Sequence, residues 1–252
     1  MPSRRLPNSM ITIIRALRKA RDEWKLIANP ADRAISTDHW NQLNDTVPTS
    51  FLNRLLKEDT DVDVALAEQA PKTAALETQA RRLTLYCSHF HQVLDMGIAR
   101  GTFQPGARGY YGRDLGATTI PVLRSYDDLS EVANKIVAGE ADRQTAEGGA
   151  YVAMQLPSAA EVNAQAAAFL AARNQSELAL TATDLQREQL QAFYDEGLAL
   201  AIDIWDSVEF FYRKDPDASS RRIKCERWGV VFADDAPATP TPPTPPAPTP
   251  PP

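Results

Sequence analysis

The chain has 252 residues, 43% of them hydrophobic and 24% charged, proportions usual for a soluble protein of one large domain or two small ones. Its formal net charge of −6 weighs against nucleic acid as a partner, because a phosphate backbone selects a basic surface. No run approaches the ~20 apolar residues of a membrane span, and Thr12 and Arg15 interrupt Ile11–Leu17, so neither a span nor a cleaved secretory signal is expected. Cys87 and Cys225 form no disulfide framework and suit a reducing compartment. A cytoplasmic location is therefore the expectation.

Glycine is scarce, and about half of the 19 prolines fall between Pro237 and Pro252, which leaves the rest of the chain poor in helix breakers. After a short arm, Asn8 or Ser9 caps a first helix with apolar positions Met10, Ile14, Leu17, Trp24 and Ala28, ended by Asn29-Pro30. A long second tract runs from Ser36 to about Arg100. Its stripe is Trp40, Leu43, Val47, Phe51 and Leu55, then Leu76, Ala80, Leu83, Cys87, Phe90, Leu94 and Ile98. Pro48 and Pro71 interrupt it, as kinks, breaks or first-turn prolines, so it reads as one kinked helix or two.

An insert of different character spans about 101–157. It holds GTFQPGARGYYG (Gly101–Gly112), an extended TTIPVL (Thr118–Leu123), and a short helix Asp127–Val137 closed by Gly139. Ser158-x-x-Glu161 is a capping box that opens a third tract, reaching about Arg213. Its stripe is thin at Ala164–Ala172 and strong from Leu190 to Tyr212. A short helix to Glu226 follows, and Gly229–Phe232 reads as a terminal strand whose natural partner is TTIPVL. The segment Pro237–Pro252 is expected to be disordered or polyproline II.

No motif carries a chemical signature. Cys87 and His91 share a helical face at metal-pair spacing, but Cys87 lies on the apolar stripe and no second Cys/His cluster completes a ligand set. No histidine follows a glutamate by three residues, as a di-iron bundle requires. No metal and no cofactor is expected. Asp195, Glu196, Asp203, Asp206 and Glu209 read either as an acid–base or cation-binding group or as partners for Arg81, Arg82 and Arg100 on the facing tract. The glycines of Gly101–Gly112 lack the lysine and Ser/Thr of a phosphate loop. They let the chain turn while aromatics cover the bundle end, or they line a ligand pocket near Arg100, Tyr110, Tyr111 and Trp228. Two basic groups stand out against the acidic total: Arg4, Arg5, Arg15, Arg18, Lys19, Arg21 and Lys25, and then Arg221, Arg222, Lys224 and Arg227. They are solvated faces paired with the acidic remainder, or they meet an anionic ligand or lipid surface.

Arg4-Arg-Leu-Pro-Asn-Ser9, SHFHQVLDMGIARGTF (Ser88–Phe103), YYG (Tyr110–Gly112), DIWDSVEFFY (Asp203–Tyr212) and RRIKCERWGVVF (Arg221–Phe232) together resemble a family of bacterial proteins of similar length with no established activity. The resemblance spans most of residues 3–232 and implies a single domain, but carries no functional residue with it.

These readings give an all-α fold: an elongated antiparallel bundle of three to four helices, two of them very long, with a compact Gly/aromatic insert and a two-stranded β patch. Residues 1–235 form one domain and 236–252 a disordered tail. The leading function is a non-catalytic structural or protein-interaction module, self-associating or bound to a protein partner. The alternatives are a small-molecule-binding protein or enzyme sited where the insert meets the helix ends, and a component of a phage-derived or export-associated particle.

Overall fold

The computed structural model describes residues 4–117 and 119–233. The chain is predominantly helical: α1 (Met10–Leu26), α2 (Thr37–Leu43), α3 (Phe51–Ala99), α4 (Ala107–Tyr110), α5 (Tyr126–Glu147), α6 (Ala159–Gln191), α7 (Tyr194–Tyr212) and α8 (Ala218–Arg227). No helix among the described residues is long and apolar enough to cross a membrane. The expected Pro/Thr tail lies outside the described residues.

Local chemistry sets most helix starts. Ser9 and Thr12 form a reciprocal capping box on α1, and Ser125 and Asp128 do the same for α5. Ser158 and Glu161 close the third, with Glu161 accepting from the Ser158 backbone at 2.7 Å. The second tract divides before α3. There the Asn53 side chain donates to three turn carbonyls, those of Asn44, Asp45 and Val47, at 3.3, 3.0 and 2.8 Å, while Ser50 caps the new helix by accepting from the Asn53 N–H. Pro48 sits in that turn, whereas Pro71 is carried inside α3. Pro71 and Ala67 are both exposed, so the carbonyl that loses its N–H partner faces water.

The third tract also divides, at Ala192–Phe193, without proline or glycine. Phe193 packs on Phe51 at 5.8 Å between ring centroids, with the Arg54 guanidinium 5.1 Å from its ring.

Although the sequence reads as one domain, the described chain packs as two compact units, one of Met1–Asp61 with Arg187–Pro252, the other of Val62–Gln186. In the first, Ile13, Leu17, Leu43, Phe51, Leu52, Leu55, Ile204, Trp205 and Trp228 are essentially inaccessible. Trp24 stacks on Trp40 at 5.3 Å. In the second, Leu83, Cys87, Phe90 and Leu94 of α3 are buried with Ala133 and Ile136 of α5 and Val162 and Phe169 of α6.

Three expectations are corrected. The Gly229–Phe232 segment does not pair with TTIPVL. Its single bridge is antiparallel to Arg4, with the Arg5 N–H donating to the Val231 carbonyl at 2.7 Å, and no strand forms among the described residues. The two segments belong to different units. The helix Asp127–Val137 does not stop at Gly139 but continues to Glu147, where Gly148 takes a positive φ of 52°. Gly139 serves close approach instead: a Cβ there would stand 2.2 Å from the Tyr110 carbonyl oxygen. Finally, three of the α7 acids, read as partners for Arg81, Arg82 and Arg100, find partners within their own unit. Asp206 and Glu209 face Arg4, and Asp203 takes a 2.8 Å contact from His39 Nε2. Those partners share α7's unit; the arginines do not.

Because backbone cannot retreat from a new methyl group as a flexible side chain can, Gly139→Ala should destabilise the protein by about 2–4 kcal/mol. Gly149→Ala, with nothing within 4 Å of its added Cβ, should change stability little. Urea unfolding of the two variants checks the contrast.

Candidate functional site

The insert gathers polar side chains in the interior of the second unit. Gly139 lets α5 lie against the Tyr110 backbone, and the next turn of α5 then carries Glu140 and Arg143 to Tyr111. Arg143 has no solvent exposure. Its Nε donates to the Tyr111 hydroxyl at 2.8 Å, and Tyr111 donates in turn to Glu140 Oε2. Arg143 Nη2 reaches Glu140 Oε1 at 3.2 Å and the Val152 carbonyl at 2.7 Å, while Nη1 reaches Glu147 at 3.1 Å. Glu140 Oε1 also accepts from the Tyr151 hydroxyl at 2.6 Å and the Met154 N–H at 2.9 Å. The rings of Phe103 and Tyr151 lie 5.0 and 4.8 Å from the guanidinium carbon.

The electrostatics follow from burial and neighbours. Burial alone would raise the Glu140 carboxyl, but hydrogen bonds from Tyr111, Tyr151 and Met154, with the Arg143 charge, outweigh it and hold the group below its ordinary range. Burial and the adjacent carboxylate push Tyr111 far up, and Tyr151 to about 12. The hydroxyls thus stay protonated as donors. All three guanidinium nitrogens of Arg143 have acceptors. Tyr111, Glu140, Arg143 and Tyr151 are thus turned toward one another.

A second cluster lies on α3. Asp95 is held by Arg108 Nε at 2.8 Å and by both terminal nitrogens of Arg113 at 3.0 Å. Burial raises the Asp95 carboxyl, and these hydrogen bonds more than reverse it. Beside it His91 is wholly buried, with neither ring nitrogen partnered among the described residues. Burial first, and then the Arg113 charge, lower its pKa to about 4.

Of the pocket residues read from sequence, Tyr111 joins the saturated network, Tyr110 contributes its backbone carbonyl with its ring partly exposed, and Arg100 is exposed. Trp228 is buried in the other unit's core, its indole N–H donating to the Tyr212 hydroxyl at 3.3 Å. Tyr111 and Trp228 are thus buried in separate cores. The concavity beside Tyr110, about 600 Å³, is lined by Gln104, Gly106, Gly109, Asp142 and Glu147 instead. Cys87 and His91, paired on sequence, are both core residues; burial pushes the Cys87 thiol up to about 12 and Cys225 to about 11. Glu140 and Arg143 escaped the sequence reading because their i, i+3 spacing looks like an ordinary surface pair; the one available signal was Gly139 beside them. Searches of protein families, of curated proteins and of solved structures return no match to this chain.

Replacing Arg143 by Met strands a buried carboxylate and should cost about 3–5 kcal/mol. Glu140→Gln combined with Arg143→Met should cost less than the sum of the single changes, since the partners share one network. Equilibrium unfolding of the three variants completes that cycle.

Acid stability should report His91. A folded pKa of about 4, below the ordinary value of 6.5, means that the unfolded chain takes up the proton first. Stability is then fully present above pH 6.5 and declines as pH falls toward 4, by roughly 2–3 kcal/mol from this group. Glu140, also lowered, loses its contribution further into acid. His91→Leu should flatten the unfolding midpoint between pH 6.5 and 4 and leave the lower limb intact.

Proposed function

We propose that this protein is a non-catalytic structural or protein-interaction module, with a second copy of the chain as its partner. The observation that supports this reading is the saturation of the insert. An active site keeps polar groups converging on an unfilled space, whereas Tyr111, Glu140, Arg143 and Tyr151 converge on one another. The insert then acts as a lock on helices α3, α5 and α6. An antiparallel pairing of α3 with α6 belongs to this proposal, supported by the Thr183 hydroxyl, which points at the Ala65 carbonyl at 3.4 Å.

The surface of α6 supplies the contact. Leu178, Ala182 and Leu185 follow one another at helical spacing and are exposed, the two leucines at 71% and 51%. Leucines separated by a small residue at i+4 suit close helix–helix packing, and the same stripe on two copies is self-complementary. Light scattering on size-exclusion fractions of the full chain should show a dimer whose population rises with concentration. Leu178→Glu with Leu185→Glu should return it to a monomer with unchanged thermal unfolding. A strict monomer at every concentration sinks the self-association.

A further inference from the structure

The first unit contains a cavity of about 280 Å³ between the N-terminal arm, α1, α7 and the segment after α8. Its floor includes Trp205 of α7, 1% exposed. Its wall is brought close by Gly229, which has φ +93° and whose Cβ position is only 2.8 Å from the Ala16 carbonyl oxygen. The arm is pinned across it by the Arg5 N–H on the Val231 carbonyl at 2.7 Å.

Two features of this cavity have no internal explanation. First, Arg5, Arg15 and Lys19 all line it, no acid does, and none of the three makes an ion pair with a described residue. Arg15 and Lys19 are one helical turn apart, a like-charge spacing that disfavours the helix. Three other cations of the unit do have acid partners: Arg4 with Asp206, Lys25 with Asp45 and Lys224 with Asp215. Second, the Trp205 indole N–H is buried without an acceptor, although a buried tryptophan N–H ordinarily finds one. Trp228 in the same core does so. Leu6, Pro7, Ala16 and Val231 supply an apolar part of the lining, and Asn8 and Thr12 a neutral polar part.

We propose that this cavity binds a small organic anion, a carboxylate or phosphate monoester with a compact apolar body. The acid group meets Arg5, Arg15 and Lys19, and the body lies among the apolar residues against the Trp205 side chain. The volume sits at the lower edge of ligand pockets, roughly 300–1,000 Å³, which fits one ring bearing an acid group. A charge-assisted contact to several cations gives affinity, and the apolar wall selects against inorganic ions. The site is independent of the insert and of the α6 surface, so it stands or falls apart from the self-association.

Indole N–H resonances of the ¹⁵N-labelled full chain read this directly, with Trp205→Phe used only to assign its peak. Phenyl phosphate and benzoate are the probes, and benzyl alcohol and inorganic phosphate the controls. The Trp205 peak should shift saturably with at least one aromatic anion and not with benzyl alcohol, and inorganic phosphate should bind more weakly. Arg15→Gln with Lys19→Gln, both exposed and therefore expected to fold, should weaken binding about tenfold or more, with circular dichroism confirming an intact fold. No saturable shift with either aromatic anion overturns the proposal, as does affinity unchanged in the double variant. Binding to vesicles containing phosphatidylglycerol without binding to the free anions also overturns it, in favour of a lipid surface.

Discussion

A guanidinium shut away from water must find its charge balance and its hydrogen-bond acceptors within the chain, and Arg143 imposes that demand on the whole second unit. Desolvating an isolated ion costs several kcal/mol even after relaxation. The surrounding segments are therefore bound to particular positions. Tyr111 has to bring its hydroxyl between Arg143 and Glu140, Val152 its carbonyl, Met154 its N–H, and Phe103 and Tyr151 their ring faces. They come from three stretches of the insert, at Phe103, at Tyr111 and at residues 151–154. The glycine-rich and irregular stretches on either side of α5 are tied to that helix by one buried ion pair and its hydrogen bonds. Gly139 is the geometric condition for this, since any side chain there would hold α5 away from the Tyr110 backbone.

The first unit is organised by different means. Its core is aromatic and aliphatic, with two tryptophans essentially inaccessible and two more stacked. Polar contacts lie at its margins, where Arg4 and His39 meet the acids of α7. Burial of that kind is non-directional and tolerates an imperfectly filled place. The cavity beside Trp205 is such a place, and Arg5, Arg15 and Lys19 line it without acid partners. In one unit buried polarity is closed on itself and serves the fold; in the other an open pocket keeps polar groups unspent. Binding chemistry, on this view, belongs to the WGVV end of the chain and the helical surface to contacts between copies.

Much of the helical content was legible in residue spacing. Apolar positions at three and four residues marked α1, the second half of α3, and α7, and Ser158-x-x-Glu161 marked the start of α6 to the residue. The misreadings have specific causes. Gly139 reads as a stop because glycine disfavours helix, yet the loss of about 1 kcal/mol relative to alanine is small beside the packing it permits. The division at Ala192–Phe193 carries no breaker residue; it reflects Phe193 meeting Phe51, a contact across more than a hundred positions of sequence. The pocket drawn around Arg100, Tyr110, Tyr111 and Trp228 joined residues by type and by nearness to helix ends, and the chain sorts Tyr111 and Trp228 into separate cores.

By itself, then, the sequence determined what is local: helix, caps and the excess of positive charge near the N-terminus. These depend on neighbours within a turn or two, where spacing and side-chain chemistry act directly. The tertiary structure alone decided which residues lose contact with water and which charges keep a partner. Glu140 and Arg143 look like a surface pair until Tyr111 and Val152 close over them, and Arg15 and Lys19 look like a solvated face until the arm and the Val231 segment place them around a cavity. Burial and ion pairing are properties of segments distant in sequence, so no local pattern records them.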